Sequence, residues 1–302
     1  MFNKMNNTYD LGPLCKLRDW IPIEKVNFMY LSCNPNATHI LEKKFDKINW
    51  FYLSKNPNAI HLLEKNLDKI DWHMITSNPN AIHLLEKNLD KINWYILACN
   101  PNAIHILEHH INEINKLILL QQQNRLYELI QIDNYIDLGT ISSNPNAIHL
   151  LEKNMHKINW MCLSRNPSAI HLLENNPEKI CWQLLSENPN AIHLLEQNPE
   201  KIDWLWLSKN PNAIHLLEKN IDKIDWCWLS LNPNAIHLLE KNIDKIDWTY
   251  LVTNPSIFEY DWVAMRNRIN VFKEELVANQ FHPKNMAKFV SWGFEDFEDL
   301  EF

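Results

Sequence analysis

Nine histidines fall on one register: His39, His61, His83, His105, His149, His171, His193, His215 and His237. Imidazoles can ligate metals, move protons or switch charge near neutral pH. A metal demands that their nitrogens converge to ~2.0–2.1 Å of one point. These histidines recur one per repeat, and same-register side chains on packed helices ~8–10 Å apart run parallel without converging. Neither His-x-x-x-His nor His-Glu-x-x-His occurs, and His109-His110 are adjacent residues that face different sides of a helix. The column therefore predicts no metal site, and nothing else calls for a cofactor. What it does offer is titration. Protonating all 14 histidines would carry the formal charge from −8 to +6, so solubility or binding is expected to change near pH ~5–6. The plainer expectation is that each His pairs with the Glu three residues later on an exposed face, copied by duplication.

Other catalytic patterns are missing. There is no Gly-x-Ser-x-Gly and no glycine-rich phosphate loop. The serine column (Ser32, Ser54, Ser164, Ser186, Ser208, Ser230) sits at a helix end, where Ser commonly bonds backbone. No enzyme is expected.

The elements carrying these residues follow from a 22-residue period. Asn-Pro stands at 34, 56, 78, 100, 144, 166, 188, 210, 232 and 254, with the slot at 122 degenerate. A fixed period of this size means a stacked array, each copy leaning on its neighbours. In the unit Asn56–Ser77, Asn56 is a good N-cap and Pro57 suits the first helical position. Ala59, Leu62 and Leu63 then share one face, while His61, Glu64 and Lys65 point away. This predicts a first helix of about nine residues.

A second helix carries Asp71-Trp72-x-x-Ile75, and two starts are open, at the Asp71 cap or earlier at Asn66. The Trp column (Trp50, Trp72, Trp94, Trp160, Trp182, Trp204, Trp226, Trp248) is expected to supply much of the buried area, with Phe28 heading it. No glycine lies within a regular unit, so Asn is expected to make the turns, through its tolerance of left-handed backbone. A leucine-rich β-solenoid has a similar period, but Asn-Pro followed by Ala-Ile-His-Leu-Leu-Glu-Lys favours helix. The expected fold is all-α: an α-solenoid, or superhelix, of about eleven 22-residue two-helix repeats with distinct end caps.

Three segments follow from where the pattern starts and stops. Residues 1–27 read as an N-terminal cap, 28–254 as the array, and 255–302 as a C-terminal cap ending in an acidic tail. Terminal units have one unpaired face, which such caps would cover. A longer helix is expected through Glu259–Asn279. Within the array, residues 112–143 lose the consensus yet span two whole periods, which reads as a drifted unit still in the stack. Gln122 and Tyr127 stand there at the Asn and His slots and are candidate contact residues.

Variation between units points to a surface. The position after each Trp varies widely, and Phe51, Tyr95 and Met161 are plausible partner contacts; the next position stays mostly apolar and reads as core. On the polar face His61, His83, His193 and His215 are further candidates. The pI near 5.9 and the locally paired Lys and Asp argue against phosphate-backbone binding. Six cysteines without a C-x-x-C pair read as buried thiols of a reducing compartment. The N-terminus lacks a signal-peptide pattern and no run is long and apolar enough for a membrane span, so the protein is expected to stay where it is made.

The units Asn-Pro-Asn-Ala-Ile-His-Leu-Leu-Glu-Lys-Asn and Asp-Lys-Ile-Asp-Trp resemble tandem repeats of uncharacterised proteins from mimivirus-like giant DNA viruses. The segment from Phe281 to Phe289 is similar to their closing motif. The resemblance covers about residues 25–302. It implies an origin in a virus replicating in host cytoplasm and brings no activity or catalytic residue with it. The expected function is a non-enzymatic scaffold binding a host or viral protein along the solenoid surface, in host cytoplasm. A structural virion or assembly component is the alternative, and a nucleic-acid-binding helical repeat ranks last.

Overall fold

A computed structural model describes residues 15–112 and 139–280. Residues 19–257 form one compact unit; residues 1–18 with 258–302 form a second. The first is the expected all-α repeat solenoid. Gln122, Tyr127, the closing motif and the acidic tail lie outside the described residues.

Most repeats are shorter in their helices than the sequence suggested, the copy beginning at Asn100 excepted, where residues 104–112 are helical. In the copy beginning at Asn188, an Asn-Pro turn leads into helix Ile192–Gln197, then the 3-10 turn Pro199–Lys201, then helix Trp204–Lys209. The nine-residue first helix is split because Ala191, at φ −97° and ψ 9°, separates the Asn-Pro turn from the helix proper. The two candidate starts of the second helix are both used. Asn198 precedes the 3-10 turn, Ile202 is extended, and Asp203 caps the α-helix by accepting from the N–H groups of Leu205 and Trp206. The turning Asn residues do not use left-handed backbone. Asn66, Asn176 and Asn198 have φ between −139° and −133°, which a residue with a Cβ adopts freely, and Lys44 holds the same place at φ −124°. Their side chains bond the carbonyl four residues back instead, as Asn198 Nδ2 does to Leu194 at 2.9 Å.

What stacks the copies is the Asn of Asn-Pro. Asn188 is fully buried. Its Oδ1 accepts the N–H of Asn190 at 3.0 Å. Both Nδ2 protons go to the preceding copy, to Ser164 O and Asn166 O, each at 3.0 Å. The same amide thus caps its own turn and satisfies two carbonyls next door, which neither Asp nor Ser could do alone. One position is not enough to fill a core, and Ala191, Leu185, Leu195 and Leu207 pack around it with no exposed surface, each leucine contributing about 1.5–3 kcal/mol before entropy. A serine relay adds to the rung. Ser186 Oγ donates to Trp182 O at 2.8 Å and accepts the N–H of Asp203, the cap of the next second helix, at 3.0 Å. This is the helix-end backbone bonding expected of the serine column.

The ladder is circular. Asn56, Asn78, Asn100, Asn144, Asn166, Asn188, Asn210, Asn232 and Asn254 each reach back one copy. Asn34, the first, donates to Val252 O at 2.8 Å and Asn254 O at 2.9 Å, the last copy. Asn36 Nδ2 likewise reaches Pro255 O at 2.9 Å, as Asn58 reaches Pro35. The two open ends expected of the array therefore meet each other. Curvature has a local cause. Backbones of neighbouring copies approach most closely along the second helices and the Asn-Pro turns. A stack tighter on one edge than on the other must bend, and ten copies close when each contributes about 36°.

Among the described residues ten copies complete the circle, against about eleven expected. Asn144 bonds Asn100 O and Ala98 O at 3.0 Å, 44 and 46 residues away, so these two copies meet directly. The tenth copy is composite: Asn254 and the turn Pro255–Ile257 come from one end of the array, the 3-10 turn Ile23–Lys25 and helix Phe28–Leu31 from the other. Residues 19–27, assigned by sequence to a separate cap, belong to this unit.

The Trp column is also not the core. Every one of these rings is half-buried, and a lysine of the next copy lies over most of them, such as Lys201 Nζ 4.4 Å from the Trp182 ring centre. The lysine stem covers the ring while its charge stays wet.

In the other unit, strand β1 (Cys15–Leu17) pairs antiparallel with β2 (Phe258–Tyr260), joined by Lys16 and Arg18 on Glu259 at 3.3 and 3.2 Å. The strands were not anticipated. Helix Trp262–Gln280 follows and agrees with the expected long helix.

Replacing Asn188 by Ala leaves two carbonyls unpaired and removes a cap, so urea denaturation should show a loss of about 2–4 kcal/mol. Asn190→Ala removes one exposed bond, to Pro167 O, and should cost under about 1 kcal/mol. Equal losses would mean the buried ladder is not the main tie between copies.

Candidate interaction surface

The position after each Trp projects from the second helix into solvent, except at Trp226, where Cys227 is half-buried. Tyr95 is 71% exposed, Met161 56% and Phe51 45%. The structure thus places all three expected contact residues in one exposed column, together with His73, Gln183, Leu205 and Thr249. Sequence reading missed its first member, Met29, also exposed. Phe28 at the Trp slot was the signal for it. The following position, read as core, is only half-buried. Here aromatic rings stack from copy to copy: Trp206 on Trp228 at 5.7 Å, Trp228 on Tyr250 at 5.9 Å, and Tyr30 against Tyr52 at 5.3 Å.

A short charged row lies one helical turn further on. Glu187 takes Arg165 from the copy before, at 3.0 Å, and Lys209 from the copy after. Their 22-residue spacing and alternating sign were legible in the sequence and were overlooked. Lys209 also stands 5.4 Å from the Trp228 ring.

The histidines lie on the first helices, away from that column. His61, His83, His193 and His215 are exposed, as expected, but their partners differ from those expected. Each Nε2 meets the Glu nineteen residues earlier, on the preceding copy: His61 with Glu42 at 2.6 Å, His83 with Glu64 at 2.8 Å, His193 with Glu174 and His215 with Glu196 at 2.9 Å. The Glu three residues later is spent on the following copy. The correct pairing needs the stacking geometry, which a single helix does not contain. His149 pairs with Glu108, again across the direct contact of two copies 44 residues apart. His110 stacks on Trp94 at 3.7 Å while His109 is exposed, so the adjacent pair does diverge. Among the described residues no group of three His, Cys, Asp or Glu could hold a metal ion.

The thiols are less buried than expected. Cys99 is exposed and five others are half-buried, all free. Burial raises the pKa of Cys33, with Lys55 opposing it, and raises that of Cys162 and Cys227, which keeps these thiols protonated and unreactive. No helix among the described residues is long and apolar enough to cross a membrane.

No family model matches this chain, and neither the curated proteins nor the solved structures offer a match to it. The surface must be interpreted from its own chemistry.

The cross-copy His–Glu pairs are exposed on both sides, so His193→Gln should change stability by no more than about 1 kcal/mol, and less in high salt. His39 behaves differently: partial burial lowers its pKa, with Lys43 adding to the effect and Asn36 and Glu42 opposing it. In an NMR titration it should therefore titrate below the ordinary ~6.5. Because the fold favours the neutral ring, this contribution to stability is present above that pH and fades as pH falls through it. His39→Gln should flatten the acid side of the stability profile; a His39 titrating above 6.5 would contradict the burial.

Proposed function

We propose that this protein is a non-enzymatic scaffold that binds another protein along its second helices. The observation that carries this reading is the column Phe51, Tyr95, Met161: the exposed position whose residue type changes from copy to copy while the ladder beneath it repeats. Large aromatic and thioether side chains at such a position are the anchors that protein interfaces favour. Repetition there would present the same residue ten times; variation presents a specific sequence of contacts around a rigid support.

The column carries no carboxylate and no lysine or arginine. That suits a protein partner better than a phosphate backbone, whose binding needs clustered basic residues. Lysines such as Lys201 and Lys223 lie over tryptophan rings, and the chain is acidic overall. Given the likeness of the repeats to those of giant DNA viruses, the partner would be a host or viral protein met in host cytoplasm. A rod bridging capsid components, the alternative role, draws no support from a ladder whose first and last rungs meet.

The test is quantitative affinity capture from infected cells with the protein and with a Phe51→Ser, Tyr95→Ser, Met161→Ser variant. All three positions are exposed, so melting should hold within a few degrees. The partner captured by the unaltered protein should fall at least tenfold with the variant. Undiminished capture removes this surface from the reading, and high abundance in purified particles would shift it toward a virion component.

A further inference from the structure

The circle is not equally tied at every junction. At an ordinary junction, such as that of helix Trp182–Glu187 with helix Trp204–Lys209, the tie has several parts. There is the buried Asn rung, the outer Asn bond from Asn212 to Pro189 O at 2.9 Å, the Ser186 relay, Lys201 over Trp182, and the chain itself. At the junction of helix Trp248–Leu251 with helix Phe28–Leu31, the rung and the outer bond persist through Asn34 and Asn36. The other three ties do not. The relay position is Val252, which has no hydroxyl to receive the N–H of Asn27. No lysine lies over Trp248 among the described residues. The two helices belong to opposite ends of the array, with no short chain link between them.

The relay is missing at one other described place, where Ala98 fills the column, but across that junction Cys99 Sγ lies 3.4 Å from Ser143 Oγ. The segments flanking the weak junction are paired as β1 and β2. A ribbon of two three-residue strands is marginal by itself.

We propose that the circle has a single seam, between Val252–Asn254 and Asn27–Asn34, which opens and recloses while the other junctions hold. The seam is a conformational gate: when it parts, the closed ladder becomes an open solenoid with two exposed rungs, and the first and last members of the contact column separate. Val252 is the residue that sets how readily this happens. Thr76 is the internal precedent for its repair, donating to Trp72 O at 2.7 Å and accepting the N–H of Asn93 at 3.4 Å.

Dipolar electron paramagnetic resonance on a cysteine-free full-length background tests the gate. Spin labels go at Glu24 and Asp244, exposed equivalents on the two sides of the seam, and at Glu200 and Asp222 as an ordinary junction. The seam pair should show a second, longer distance population that the control pair lacks. Val252→Thr, close in volume, should reduce that population about three- to tenfold, the effect of one added buried hydrogen bond. One narrow distance at both pairs would overturn the proposal. So would a long population at both, or one at the seam that Val252→Thr leaves unchanged.

Discussion

A buried carboxamide holds this fold together. Helices of four to six residues are far too short to persist in water, and here each is fixed by a side chain that belongs to a neighbour. The Asn of Asn-Pro has one acceptor and two donors to place, and the stack places all three: one on its own turn, two on the carbonyls of the copy behind. Leaving those carbonyls unpaired in a dry interior would cost more than the bonds gain. The amide is therefore as much a requirement as an attraction. Leucine and alanine fill the remaining space, serine joins successive second helices, and tryptophan with its overlying lysine seals the edge.

The repetition, the helical class and the capped turns could be read from the sequence because each is local. Asn at the N-cap, Pro at the next position and an Ala-x-x-Leu-Leu stripe state a helix without reference to anything distant. Asp71 announced the second helix in the same way, and Phe51, Tyr95 and Met161 were marked as candidate contacts by variation at the position after the Trp. What could not be read was anything that depends on how far one copy turns relative to the next. The bond from Asn34 to Asn254, the pairing of His61 with Glu42, and the direct contact of Asn144 with Asn100 all lie in that category. So do the two short strands, which pair with each other across more than 240 residues of chain. The Trp error had a different origin. A large aromatic in a fixed column looks like core, but a ring beside a lysine on an edge is stabilised by coverage as much as by depth.

The two faces of the circle divide the work. First helices carry a wet belt of His–Glu pairs, each bridging a junction and each replaceable at small cost. Second helices carry the close packing and, outside it, the variable column. Fixed chemistry beneath and variable chemistry above is the arrangement in which a surface can change without disturbing what supports it.

Closure also constrains how such a chain can evolve. An open solenoid tolerates the gain or loss of a copy, since its end simply moves. A circle of ten wedges does not: with nine or eleven, the last Asn would meet its target only if every wedge angle changed. Tandem duplication, the process that built the array, is thereby halted by its own product. Added sequence is accommodated only where it leaves the count alone, as between Asn100 and Asn144, which touch although 44 residues separate them.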